Sequence, residues 1–134
     1  MLGRLFKRGR TGTPAPLTGA PAIRRQKTYS GQSGYVYQYV YEGRRKRAAD
    51  TEYVFDVTAD RKTSFPVSVV LPDEVVAGWE SEHGFTLRDN ERHGIVKIAL
   101  FQAFDERADP SQMRAAVEVR RADLNGIIES LGII

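Results

Sequence analysis

YVYQYVY, residues 35–41, is the stretch on which the fold turns. Its alternation is strict: Tyr35, Tyr37, Tyr39 and Tyr41 fall on one side, and Val36, Gln38 and Val40 on the other. Period two built from aromatic and β-branched residues is the signature of a strand. Four rings at alternate positions cover about 20 Å of one strand face. Such a face can be displayed to stack single-stranded bases, each stacked base contributing roughly 1–3 kcal/mol. It can equally be the face that packs on a helix or a partner, because tyrosine favours half-buried strands and carries a large apolar ring. Val36 and Val40 alone are too little apolar surface to form the sole core face, which favours the packing reading.

Moving toward the C-terminus, GRRKRAAD (43–50) is polar and charged and reads as a hairpin loop. A second strand is expected over 51–58, where Tyr53, Phe55 and Val57 share a face. Asp60, Arg61 and Lys62 make a turn, and a third strand follows over 64–71 with Phe65, Val67, Val69 and Leu71 alternating. Pro66 lacks an N–H, so that strand should lie at an edge or begin late. Three strands with short connections form an antiparallel meander most economically.

The pattern then changes to helical. Pro72, Asp73 and Glu74 are start signals, Val75, Val76 and Trp79 share one side with Trp79 as its core anchor, and Gly84 is a stop. Thr86-Leu87-Arg88-Asp89 has the outline of a capping box, opening a long helix to about Arg107 whose middle is apolar nearly all round. Asp109-Pro110 ends it. Residues 114–120 fit a fourth strand with Ala115, Val117 and Val119 inward, and fit a helix as an alternative. Leu124, Ile127, Ile128 and Leu131 mark a C-terminal helix. The expected class is α+β, in the order β-β-β-α-α-β-α.

Toward the N-terminus the composition shifts. Residues 1–28 hold Arg4, Lys7, Arg8, Arg10, Arg24, Arg25 and Lys27 and no acid, with Pro14, Pro16 and Pro21 among glycines and threonines. A segment so poor in apolar side chains cannot offset the entropy of ordering it, so 1–28 is expected to be a disordered basic tail and 29–134 a single domain. Extended, the tail would reach on the order of 90 Å. Leu2, Leu5 and Phe6 beside Arg4, Lys7 and Arg8 could rest on an anionic lipid surface, but ten residues are too few for a stable helix in water. The net charge of +3 is thus divided: the tail is strongly cationic and the remainder, with thirteen basic and seventeen acidic residues, is mildly anionic.

Composition also excludes chemistry. The chain of 134 residues has no cysteine, which removes disulfides, thiolate nucleophiles and cysteine-ligated metals. No apolar run approaches the roughly 18–20 residues that span a bilayer, and the cationic start lacks a signal peptide's apolar stretch, so a cytoplasmic location is expected. His83 and His93 stand at no metal-ligand spacing. A set assembled from Ser81, His83 and nearby acids lacks a nucleophile elbow, and Asp73-Glu74 and Asp105-Glu106 read as helix-end charge. GQSG (31–34) is too short for a phosphate loop and precedes a strand. No cofactor or metal site is expected.

The function these features predict is non-catalytic: a binding or accessory protein whose folded part docks on a protein partner or assembly. Its tail, together with Arg44, Arg45, Lys46 and Arg47, would engage an anionic partner, whether nucleic acid, a peripheral anionic membrane surface or part of an assembly. The alternative is a single-stranded RNA or DNA binder that uses Tyr35, Tyr37, Tyr39 and Tyr41 as its stacking face and the arginine–lysine segment for phosphates.

Overall fold

Four antiparallel strands, a helical layer on one side and one short parallel strand make up the computed structural model, which describes residues 15–134. The elements are β1 (Lys27–Ser30), β2 (Val36–Arg47), β3 (Asp50–Thr58), β4 (Ser64–Pro72), α1 (Asp73–His83), α2 (Asp89–Glu106), a 3-10 turn (Pro110–Arg114), β5 (Val117–Glu118) and α3 (Arg121–Ser130). Their order across the sheet is β1-β2-β3-β4-β5, with β5 parallel to β4. The α+β class and the run of strands followed by helices are as the periodicity predicts.

The helix-facing side of the sheet is the side that carries the tyrosines. Tyr37 and Tyr39 of β2, Tyr53, Phe55 and Val57 of β3, and Phe65, Val67, Val69 and Leu71 of β4 are all buried there. Against them α2 lays Ile95, Val96, Ala99, Leu100, Ala103 and Phe104, while α1 and α3 add Val76, Trp79, Leu124, Ile127 and Ile128. Tyr37 stacks on Phe104 with ring centroids 4.2 Å apart, and Tyr29 on Phe101 at 4.4 Å. Offset stacks of this kind add about 0.5–1.5 kcal/mol beyond the area they bury.

Several boundaries differ from the sequence reading, each for a local reason. A strand absent from the expected order, β1, pairs Lys27–Ser30 with Val36–Tyr39. Its sequence, KTYS, offers one apolar side chain and no period to detect. It is held from outside: Tyr29 Oη donates to Asp105 Oδ2 at 2.8 Å, Gln32 N to Asp105 Oδ1 at 2.9 Å, and Ser33 Oγ to the Phe104 carbonyl at 2.9 Å. GQSG is therefore the hairpin turn between β1 and β2, pinned to the C-terminal end of α2. The tail boundary at residue 28 shifts accordingly, since Lys27 and Thr28 belong to the sheet. Thr18 also pairs through its backbone with Arg44 at 2.9 and 2.8 Å, and Arg24 forms an ion pair with Glu42.

The segment 43–50 is not a loop. β2 runs through Arg47, and only Ala48 and Ala49 turn the chain, Ala48 with φ 53°. α2 begins at Asp89 rather than at the expected capping box: Glu91 Oε1 accepts from the Arg88 N–H at 2.8 Å, while Thr86 does not cap it. The fourth predicted strand shrinks to Val117–Glu118; Val117 and Val119 are buried as expected and Ala115 is exposed. Pro66 stands opposite Asp56 of β3, and β5 pairs only with Val69 and Val70, so the missing N–H falls where β4 has no outer neighbour. Gly84, at φ 60°, ends α1 as read.

Candidate functional site: a basic cleft over the tyrosine end of α2

One irregularity in β2 arranges the site. The pairing register with β3 slips between Tyr41 and Gly43, so Glu42 is the extra residue of a bulge. Without the slip Gly43 would share a face with Tyr41. With it, Arg44 stands opposite Tyr53 and faces the helices, while Arg45 stands opposite Glu52 and faces away. Gly43 takes φ 126° and a Cβ there would lie 2.8 Å from the Thr18 carbonyl oxygen, so only glycine fits.

The bulge splits the basic run between two faces of the sheet. On the outer face Arg45 Nε donates to Glu52 Oε1 at 2.8 Å and Arg47 Nη1 approaches the same oxygen at 3.5 Å, with Ser68 Oγ on Oε2. Glu52 is 3% exposed. Burial pushes its carboxyl up, but the Arg45 and Ser68 hydrogen bonds and the two guanidinium charges outweigh this and hold it below the usual range. On the helix face Lys46 pairs with Asp73 at the start of α1. Three of the four charges that the sequence offers as a free cluster are thus matched internally; Arg44 is left facing the cleft, 3.7 Å from an Asp89 carboxylate that is 84% exposed.

That cleft, of about 390 Å³, opens between residues 19–27, the inner face of β2 and β3, and the first half of α2. Tyr39, Tyr41 and Phe55 form its floor, Asp89, Asn90, His93 and Lys97 one wall, and Gly19, Pro21, Ile23, Arg25 and Lys27 the other, with Arg44 at the mouth. His93 and Lys97 are one helical turn apart and point the same way. Tyr41 meets the His93 ring edge-on at 4.6 Å, and Lys97 Nζ lies 5.9 Å from the centre of the Phe101 ring.

The electrostatics are lopsided. Arg25, Lys27, Arg44 and Lys97 face one carboxylate, Asp89. Among the described residues Arg25, Lys27 and Lys97 form no ion pair, and residues 1–14 contain no Asp or Glu that could supply a counter-charge. Burial, then the neighbouring Lys27 charge, pushes the Lys97 ammonium below its ordinary value. Burial, then Lys97, Lys27 and Arg44, pushes His93 down as well. The buried Tyr41 hydroxyl is raised by burial, an effect that the neighbouring Arg44 guanidinium opposes. An anion placed here would relieve repulsion among the four cations and find N–H donors on several sides.

The residues expected from sequence divide clearly. Arg25, Lys27 and Arg44 come together at the cleft; Arg24, Arg45, Lys46 and Arg47 are paired elsewhere. Arg4, Lys7, Arg8 and Arg10 lie outside the described residues. Of the aromatic face, Tyr37 and Tyr39 are core residues, Tyr41 is half-buried and only Tyr35 is exposed, at 40%. The row is therefore the sheet's packing face, and it presents no continuous stacking platform. Lys97 and His93, which line the same cleft, were missed. Their signal was present: a lysine and a histidine four apart, inside the otherwise apolar HGIVKIALF (93–101).

No family model, curated protein or solved structure matches this chain. Among the described residues no helix is long and apolar enough to cross a membrane.

Proposed function

We propose that this is a non-catalytic binding or accessory protein that engages an acidic partner protein through its N-terminal segment and the basic cleft that segment overhangs. The observation that carries the reading is the convergence of Arg25, Lys27, Arg44 and Lys97 on one cleft with a single exposed carboxylate. Cations of one sign held together at a cost in repulsion are retained where a ligand of the opposite sign neutralises them. The burial of Tyr37 and Tyr39 removes the stacking surface that would favour single-stranded nucleic acid.

The test is a titration of the full chain with a fluorescent acidic peptide and, separately, a single-stranded oligonucleotide of equal charge, at about 50 and 200 mM salt. The peptide is expected to bind with the tighter affinity and to weaken several-fold at the higher salt. Charge reversal at Lys27 (Lys27→Glu) should weaken it further. A peptide that fails to bind at the lower salt sinks the reading, and tighter oligonucleotide binding transfers it to nucleic acid.

A further inference from the structure

We propose that the cleft is a binding site for a phosphate monoester carried on a planar ring. This deepens the reading above, on which it rests, by naming the group that enters. Three features select that chemistry over a simple carboxylate. The first is charge: four cations against Asp89 leave a surplus that a monoanion only partly neutralises, whereas a phosphate monoester brings about −1.5 to −2 and three acceptor oxygens. The second is donor geometry. Arg25 and Arg44 present planar forks, and Lys27 and Lys97 point charges. The third is ring surface: the half-buried Tyr41 and the His93 ring set edge-on against it at 4.6 Å line the cleft, and so accept a ring better than an open polar chain. The volume, about 390 Å³, is in the range of small-molecule pockets.

Each wall supplies something the others cannot. The bulge at Glu42 turns Arg44 inward, β1 brings Lys27 beside Tyr39, and one turn of α2 sets His93 and Lys97. With Arg25 from the segment before β1, the site thus draws on four parts of the chain and exists only in the folded protein. The ring-borne phosphate can come from a phosphorylated tyrosine of the acidic partner or from a free small molecule; the chemistry in the cleft is the same.

The experiment titrates the full chain with phenyl phosphate, inorganic phosphate, adenosine monophosphate and a phosphotyrosine peptide, read by NMR of the His93 imidazole. Phenyl phosphate is expected to shift that signal saturably and to bind at least about tenfold tighter than inorganic phosphate. Lys97→Gln should weaken it about tenfold or more, while Lys62→Gln, on an exposed turn, should leave it unchanged, with thermal melting confirming that both variants fold. A peptide that binds as phenyl phosphate does points to a protein-borne phosphate; a peptide excluded while phenyl phosphate binds points to a free ligand, and adenosine monophosphate, whose phosphate sits on a sugar, should bind more weakly than phenyl phosphate. Equal affinity for inorganic phosphate, binding that Lys97→Gln leaves intact, or no shift at His93 would each overturn the proposal. Failure here alongside salt-sensitive binding of the unphosphorylated acidic peptide removes the phosphate and leaves the broader reading standing. The reverse result removes only the broader reading.

Discussion

The two ends of α2 meet the same sheet face and are filled in opposite ways. At its C-terminal end Ala99, Leu100, Ala103 and Phe104 close on Tyr37, and Phe101 stacks on Tyr29, with the Asp105 carboxylate taking up the polar groups of the β1–β2 hairpin. At its N-terminal end Asp89, His93 and Lys97 meet Tyr41, Phe55 and Arg44, and a cleft remains. Both ends are aromatic on the sheet side, so the difference lies in what the helix and the edge strand contribute. Rings facing rings exclude water and produce core. Cationic groups facing rings and one another leave a cleft of like charge. One strand with one periodicity therefore builds core at one end and lines an open cationic cleft at the other.

The strongest way to break that comparison is at the sealed end. Phe104→Ala should destabilise the fold by about 3–5 kcal/mol, measured by chemical denaturation, because the ring is fully buried against Tyr37 and the space cannot collapse. A loss below about 1 kcal/mol would mean that this end is not the tight core described. Next in size is Arg45→Met, which strands the Glu52 carboxylate beneath the sheet. A loss of about 2–4 kcal/mol is expected, discounted from the full range for buried pairs because Arg47 and Ser68 remain. A neutral result would show that Arg47 alone suffices.

The open end should behave in the opposite sense. Lys97→Met removes a charge that burial and Lys27 already disfavour, so melting temperature at pH 7 should rise by about 1–3 °C while anion binding falls. A drop in both would make Lys97 a structural residue. The smallest effect concerns pH. His93 has a folded pKa below its unfolded value, so the unfolded chain takes up its proton first. Its contribution to stability is full above about pH 6.5 and is lost as pH falls from there through the folded value. His93→Gln should flatten that limb of the stability curve and leave stability at pH 8 unchanged to within about 0.5 kcal/mol. The groups that surround it are Lys97 on α2, Lys27 on β1, Arg44 and Tyr41 on β2 and Tyr53 on β3.

How much of this was legible follows from range. The meander and the long helix could be read because their apolar periods are local and repeat over several residues: Tyr53-Phe55-Val57, Phe65 to Leu71, Ile95 to Phe104. The strand at Lys27–Ser30 could not, since four residues with one apolar side chain show no period and its Asp105 contacts lie far along the chain. The site was half legible. Basic residues could be counted, but a count does not show that Arg45 and Arg47 share Glu52 across the sheet and Lys46 pairs with Asp73 of α1, whereas Arg44 meets only the exposed Asp89.

From the sequence by itself come the α+β class, the division into a cationic leader and a mildly acidic remainder, the absence of cysteine chemistry and the row of tyrosines. Only tertiary structure decided which side of that row is covered, which positive charges are left without a partner, and where they meet. The reason is physical: hydrogen-bonded elements are specified by neighbours a few residues away, whereas burial and net charge at a point in space are sums over groups that only the folded chain brings together.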